Sequence, residues 1–151
     1  MIYKKIRKIN NYITRGEKVN MKEEKKKIKI LVLDDEPNIT NLVSSILELE
    51  GYESLKANTV KEALEILDKN WKDIKIMICD YRMPEMDGLE FIKKIRQNPL
   101  YNNIDILMLT ATDTYETIKQ STLLGVKDYI IKPFDPQEII EAIERVLNSR
   151  N

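Results

Sequence analysis

The sequence contains no histidine and a single cysteine, Cys79, among its 151 residues. Without histidine, a catalytic triad that uses an imidazole base is excluded, and one cysteine excludes disulfide frameworks and the common Cys/His zinc sites. No stretch approaches the roughly 18 apolar residues of a membrane span, and the first 27 residues lack the apolar run of a secretory signal. We therefore expect a cytoplasmic protein whose chemistry depends on carboxylates, hydroxyls and lysines.

The net charge of zero conceals an uneven distribution along the chain. Residues 1–27 carry ten Lys and Arg against three Glu, a net charge of +7, whereas the remaining residues carry fifteen basic against twenty-two acidic side chains, a net charge of −7. This division predicts a basic N-terminal extension over residues 1–27, a folded domain over residues 28–148 and a short tail over residues 149–151.

The basic extension allows three interpretations. Isoleucine recurs at helical spacing between basic residues, at Ile2, Ile6, Ile9 and Ile13, which is typical of an amphipathic helix that contacts an anionic membrane or a partner protein. A solvated, disordered tail is the simpler interpretation. A third hypothesis is that translation starts at Met21, because residues 15–17 can be encoded by a purine-rich stretch that resembles a ribosome-binding site. Peptide mapping of the N-terminus distinguishes the third interpretation from the others.

From Ile28 onward, five short apolar segments alternate with amphipathic helical patterns. The segments rich in β-branched residues predict strands over residues 28–33, 52–57, 74–79, 104–109 and 126–131. Helices are predicted after the capping-type residues Asp35-Glu36, Thr59, Asp87 and Asp135, and one more begins at about residue 114. Because the strands are apolar on both faces, the pattern predicts an α/β fold, a doubly wound parallel sheet with helices on both sides.

Polar side chains follow the predicted strands at the positions where ligands bind in such sheets. Asp34 and Asp35 follow the first strand, Asp80 the third, Thr110 the fourth and Lys132 the fifth. Three carboxylates at one edge repel one another, so a cation is needed to hold them together. Carboxylate oxygens with room for water suit Mg²⁺ better than zinc.

Over residues 28–148 the chain resembles the receiver domain of bacterial response regulators. The matching elements, in the family's order, are Asp34-Asp35, Asp80 followed by Met83-Pro84 and Asp87-Gly88, Thr110-Ala111, Tyr129, and Lys132-Pro133. The resemblance implies a flavodoxin-like sheet with strand order 2-1-3-4-5. It also implies a stand-alone response regulator of two-component signalling, of the chemotaxis or phosphorelay type.

The resemblance also implies a role for each site residue. Asp80 would be the nucleophile that accepts a phosphoryl group. Asp35 and Asp80 would bind Mg²⁺ directly, Asp34 mainly through water, and the backbone carbonyl of Arg82 would add a ligand. Lys132 would pair with the phosphoryl group as a compact positive charge. The chain would therefore catalyse only its own phosphorylation and dephosphorylation.

Two further residues would form a conformational switch. The Thr110 hydroxyl would move to bond the phosphoryl group, and Tyr129 would rotate inward behind it. The resemblance also implies a cis Lys132-Pro133 bond. Arg82 and Thr112 occupy positions that vary in the family and bear on the lifetime of the phosphoryl group, which the sequence leaves open. Met83-Pro84 and Gly88 are expected to shape the loop after Asp80, and Cys79 to pack in the core.

The implied partners are a sensor histidine kinase or a histidine phosphotransferase, and a downstream protein that binds the face formed by the fourth helix, fifth strand and fifth helix. No recognition helix follows the receiver pattern, so we expect no DNA binding by this chain. One rival is a phosphatase of the haloacid dehalogenase type, which expects an acid where Arg82 stands. The other, a flavodoxin-like nucleotide-binding module, expects a glycine-rich phosphate loop that is missing after the first strand.

Overall fold

The computed structural model describes residues 24–25, 27–111 and 115–150. Within them, five strands alternate with five helices, and a short 3-10 helix (Pro99–Tyr101) precedes the fourth strand. The strands are β1 (Lys29–Leu33), β2 (Glu53–Ala57), β3 (Ile74–Asp80), β4 (Asp105–Thr110) and β5 (Val126–Ile131). The helices are α1 (Pro37–Leu49), α2 (Val60–Asn70), α3 (Gly88–Arg96), α4 (Tyr115–Leu123) and α5 (Pro136–Ser149). Each predicted element is present, with strand ends shifted by at most one residue.

All strand pairs are parallel, and the order across the sheet is β2-β1-β3-β4-β5. This confirms the predicted doubly wound, flavodoxin-like topology. Because β1 lies between β2 and β3, the chain reverses its direction of winding after β2. The residues that follow β1 and β3 therefore lie side by side at the carboxyl edge of the sheet, where such folds bind their ligands.

The core consists of two apolar layers, one on each face of the sheet. The first layer includes Ala63 and Leu67 of α2 and Phe91 and Ile92 of α3. The second layer includes residues of α1 and α5, among them Val43, Leu47, Ile139 and Ile143. The central strand β3 contributes to both layers and is buried along nearly its whole length. Helices on both faces explain why the strands carry continuous apolar runs.

Three of the helix starts have the predicted side-chain caps. The side chains of Thr59, Asp87 and Asp135 each accept a hydrogen bond from the backbone N–H three residues later. Helix α1 begins after Asp35-Glu36 as predicted, but the predicted cap was wrong, because the side chain of the N-cap residue Glu36 makes no capping hydrogen bond. The backbone N–H of Glu36 itself donates to Asp34 Oδ1 at 2.9 Å, so this donor is satisfied by the residue that follows β1.

The predictions for residues 1–20, the start at Met21 and Thr112 lie outside the described residues. Among the helices of the described part of the chain, none is long and apolar enough to cross a membrane.

Candidate functional site

The sheet brings the three predicted carboxylates together at its carboxyl edge. Leu33 of β1 pairs with Cys79 of β3, so Asp34 and Asp80 continue from adjacent strands. One carboxylate oxygen from each of Asp34, Asp35 and Asp80 lies within 4.8 Å of the others. Asp34 is 0% and Asp80 is 4% exposed, whereas Asp35 is half-buried. We call these three residues the acidic cluster.

Lys132 reaches the acidic cluster from the end of β5. Its backbone N–H donates to the Thr110 carbonyl at 2.8 Å, which extends the pairing of β4 and β5 by one residue. Its ammonium group donates to Asp34 Oδ2 at 2.9 Å and to Asp80 Oδ1 at 3.0 Å. The following Lys132-Pro133 peptide bond is cis, as predicted. One lysine thus bridges two carboxylates from neighbouring strands.

The charge of Lys132 does not compensate the acidic cluster fully. Burial, and then the charge of Asp34, raise the pKa of Asp80 from 3.8 to about 6, although Lys132 acts in the opposite direction. Burial also raises the pKa of Asp34, against the lowering effect of the Glu36 N–H and of Lys132. For Lys132, burial lowers the pKa, but the hydrogen bonds to Asp34 and Asp80 outweigh it and leave the pKa raised. The negative charge of the acidic cluster therefore exceeds the positive charge that Lys132 supplies, and a further cation would be bound favourably.

A divalent cation fits this donor set. Three carboxylates offer hard oxygen atoms, which Mg²⁺ prefers, and their net charge still exceeds that of Lys132. Because Asp35 is half-buried, the cluster is open to solvent on one side. Mg²⁺ keeps several waters when bound to proteins, so an open side matches its chemistry.

The loop after Asp80 is held close to the strand by a glycine. Gly88 donates its backbone N–H to the Tyr81 carbonyl at 2.6 Å. A Cβ atom at Gly88 would lie 2.6 Å from the Asp80 carbonyl oxygen, a distance that neither backbone can accept. Residue 88 must therefore lack a side chain for the loop to pass beside the acidic cluster. The prediction that Gly88 shapes this loop is confirmed.

The other predicted site residues occupy different positions around the cluster. Thr110 is 1% exposed and ends β4, beside the backbone of Lys132. Arg82 is exposed in the loop after Asp80. Tyr129 is half-buried on β5, and its hydroxyl contacts α4, with the Ile118 carbonyl at 3.0 Å. Tyr129 therefore bonds a helix beside the site.

Asn58, which sequence reasoning did not select, ties two loops of the site together. Its side-chain amide donates to the Asp34 carbonyl at 2.9 Å and to Thr40 Oγ1 at 3.0 Å. It also lines a cleft of about 260 Å³ that includes Asp35 and Met83. Asn58 follows β2 directly, so the rule that selected Asp34 and Asp80 by their place after a strand could have found it.

The comparisons with known proteins agree with this geometry. The family model for the response regulator receiver domain matches residues 30–144. Chemotaxis protein CheY1 of Helicobacter pylori is 38% identical over 125 residues, which is 82% of this chain and 100% of that protein. A chemotaxis protein CheY homolog of Campylobacter jejuni is 37% identical over 81% of this chain and 94% of its own length.

Solved structures show the same architecture. Chemotaxis response regulator CheY4 of Vibrio cholerae superimposes with a TM-score of 0.73, at 34% identity, over 79% of this chain and 98% of that one. A receiver domain protein (CheY-like) from Methanospirillum hungatei gives a TM-score of 0.73 at 30% identity, over 81% and 94% of the two chains. With its acidic cluster and its bridging lysine at the family's strand ends, the chain belongs to the response regulator receiver domains, as a phosphoacceptor regulator of the chemotaxis type in a two-component system.

Proposed function

We propose that Asp80 is the residue that accepts the phosphoryl group. The observation that carries this proposal is the position of its carboxylate, which lies at a strand end, 3.0 Å from Lys132 Nζ and within the acidic cluster. The pKa of about 6 leaves Asp80 largely ionised at neutral pH. An ionised carboxylate is the nucleophile that the transfer requires.

Asp34, Asp35 and Asp80 would hold Mg²⁺, together with the backbone carbonyl of Arg82. The bound ion would supply positive charge to the oxygens of the transferring phosphoryl group. Both oxygens of Asp34 already accept hydrogen bonds, from Glu36 and from Lys132. This supports a role for Asp34 through water, and leaves Asp35 and Asp80 as the carboxylates that would bind the ion directly.

The transfer itself is a substitution at phosphorus. An oxygen of Asp80 forms the new bond, the bond from phosphorus to the donor's imidazole nitrogen breaks, and the imidazole retains that electron pair. Lys132 supplies an ammonium group on the same side as the nucleophile and pairs with the incoming negative charge. Attack by water on the phosphorus later restores the Asp80 carboxylate. The chain thus acts on itself rather than on a separate substrate.

The donor would be a phosphohistidine on a sensor histidine kinase or a histidine phosphotransferase, in keeping with the receiver family. It would belong to another protein, because this chain contains no histidine. Phosphorylation would draw the Thr110 hydroxyl towards the site and release Tyr129 to move inward.

The downstream partner would bind the α4-β5-α5 face. Ile131 supports that choice, because it ends β5 and is 38% exposed, which leaves an apolar side chain accessible on this strand.

Intact-mass measurement after incubation with acetyl phosphate and Mg²⁺ tests the proposal. We expect a gain of one phosphoryl group, which is lost when Mg²⁺ is chelated and in Asp80→Asn. Asp68→Asn is the matched control, since it makes the same chemical change at an exposed position of α2 and should leave the gain intact. Addition of a phosphoryl group to Asp80→Asn at the wild-type rate would refute the assignment.

A further inference from the structure

The Tyr129 hydroxyl lies in a small group of hydrogen-bonding atoms on α4. It contacts the Ser121 hydroxyl and lies 3.0 Å from the Ile118 carbonyl oxygen, and Thr122 Oγ1 lies 3.4 Å away. The Ile118 carbonyl also accepts hydrogen bonds from Ser121 Oγ at 3.0 Å and from Thr122 Oγ1 at 2.7 Å. The side chain that would move on phosphorylation is therefore bonded to the helix beside it.

The chemistry of this group gives Ser121 a defined part. Ser121 is 0% exposed, so its hydroxyl has no access to bulk water and needs partners inside the protein. A serine hydroxyl has one proton and two lone pairs. While its proton goes to the Ile118 carbonyl, its lone pairs can accept the Tyr129 proton, for which the same carbonyl is the alternative acceptor. The single proton of Tyr129 is thus shared between two acceptors, and Ser121 supplies one of them.

Inward rotation of Tyr129 breaks this arrangement. The tyrosine would leave both the Ser121 hydroxyl and the Ile118 carbonyl, and the buried serine would lose one of its two partners. Leaving a buried polar group with fewer partners is unfavourable. These hydrogen bonds therefore stabilise the conformation in which Tyr129 lies on α4. Ser121→Ala removes the serine hydroxyl with little effect on packing, because alanine has nearly the same volume as serine.

We propose that Ser121 is a positioning residue that holds Tyr129 against α4 before phosphorylation and so sets how easily the switch responds. This inference rests on the proposed function, in which Tyr129 moves when Asp80 is phosphorylated. Ser121 touches neither the acidic cluster nor the phosphoryl group. Its effect is on the equilibrium between two positions of Tyr129, and phosphorylation must overcome that bias.

The test uses the full chain labelled with ¹³C in the tyrosine rings, and compares the wild type with Ser121→Ala and Thr122→Val. Tyr129→Phe assigns the Tyr129 signal among the seven tyrosines. In Ser121→Ala, we expect the population of Tyr129 away from α4 to rise roughly threefold to tenfold, the ratio that corresponds to one net hydrogen bond. Thr122→Val removes the Thr122 bond to the Ile118 carbonyl but only a 3.4 Å contact with the Tyr129 hydroxyl, so it should change this population less than about twofold.

A second measurement distinguishes positioning from packing. The initial rate of Asp80 labelling by acetyl phosphate should rise in Ser121→Ala, because a larger fraction of the molecules already has Tyr129 in the position that phosphorylation favours, and the reaction draws on that fraction. In a Tyr129→Phe background, Ser121→Ala should add nothing, since the hydroxyl it acts through is gone. An unchanged Tyr129 signal in Ser121→Ala, or the same rate effect without the tyrosine hydroxyl, would overturn the inference.

Failure of the proposed function would look different. If acetyl phosphate adds no phosphoryl group to the wild type, the assignment of Asp80 fails, whereas the tyrosine spectra of the unphosphorylated variants still measure the effect of Ser121. Thermal unfolding of each variant checks that α4 is intact, and we expect the same transition within a few degrees for Ser121→Ala and Thr122→Val.

Discussion

The two edges of the sheet carry charged groups that are compensated to different degrees. At the carboxyl edge, three carboxylates share Lys132, and the pKa of Asp80 is raised to about 6. At the amino edge, where the strands begin, Arg150 bonds Asp105 at 2.7 Å, and Lys29 lies 3.8 Å from Asp73.

Backbone groups at the amino edge are satisfied in the same way. The Arg96 guanidinium at the end of α3 donates to the carbonyls of Tyr101 and Ile104, each at 2.9 Å, and to that of Leu124 at 3.4 Å. These carbonyls precede β4 and β5, so one side chain joins a helix to the starts of two strands. The charged and backbone groups of the amino edge are thus paired and stabilise the fold, whereas the carboxyl edge retains negative charge that a ligand can neutralise. Removal of a charged side chain should therefore raise stability at the carboxyl edge and lower it at the amino edge.

The largest expected effect on stability is at the amino edge. Arg96→Ala removes the donor from three backbone carbonyls and should lower the free energy of unfolding by about 2–3 kcal/mol. Urea unfolding without Mg²⁺ measures this loss. Lys93→Ala, an exposed position on the same helix, is the control and should change stability by less than about 0.5 kcal/mol. Equal losses in the two variants would contradict the role given to Arg96.

A pair of glycine substitutions separates function from stability. Gly88→Ala places a Cβ against the Asp80 carbonyl oxygen, so we expect it to displace the loop, lower stability by about 1–3 kcal/mol and slow labelling by acetyl phosphate. Gly51→Ala, at the amino edge, has room for the Cβ, but its φ of 99° costs about 1–2 kcal/mol for a non-glycine residue. Only the first variant should label slowly. Equally slow labelling in both would remove the distinction between the edges.

Removing charge from the acidic cluster should stabilise the fold. The folded-state pKa of Asp80 is raised from 3.8 to about 6, so the folded protein binds this proton more tightly than the unfolded chain does. The contribution of Asp80 to stability is thus most favourable below pH 3.8 and is lost as the pH rises through about 6. At pH 7.5 without Mg²⁺, the free energy of unfolding of Asp80→Asn should be about 1–2 kcal/mol higher than that of the wild type.

The pH dependence provides the check on that prediction. The gain of Asp80→Asn should disappear towards pH 4, where the wild-type carboxyl is protonated in the folded state. Chemical unfolding of both proteins between pH 4 and pH 8 measures it. A gain that does not vary with pH would show that the stabilisation has another origin than the ionisation of Asp80.

The smallest expected effect concerns the surface pairs of the amino edge. Lys29→Ala removes two long contacts, 3.9 Å to Glu53 and 3.8 Å to Asp73, and should lower stability by less than about 1 kcal/mol. Added salt should reduce this difference further, because it screens exposed charges. Unfolding at low and high salt measures the effect, and a loss as large as that of Arg96→Ala would mean that the ion pairs, not the carbonyl contacts, stabilise this edge.

The sequence was sufficient to predict the strands and their order because both follow from local patterns and from resemblance. The same strand-end rule placed Asp34, Asp80 and Lys132 at one edge, where the structure has them. The rule could not show which atoms meet across the chain. The contact of Lys132 with both carboxylates, the missing cap at Glu36 and the bonding of Tyr129 to α4 depend on side-chain packing between distant segments, and no local pattern carries that information.

Cys79 precedes Asp80 on β3 and is 0% exposed, and burial together with the nearby acidic groups raises the pKa of its thiol. Thiol-specific reagents need an accessible thiolate, so the native protein should be inert to them while folded. A cysteine introduced at the exposed Leu123 would then be the single reactive site, and a fluorescent or spin label attached there could follow α4 during signalling without prior removal of the natural cysteine.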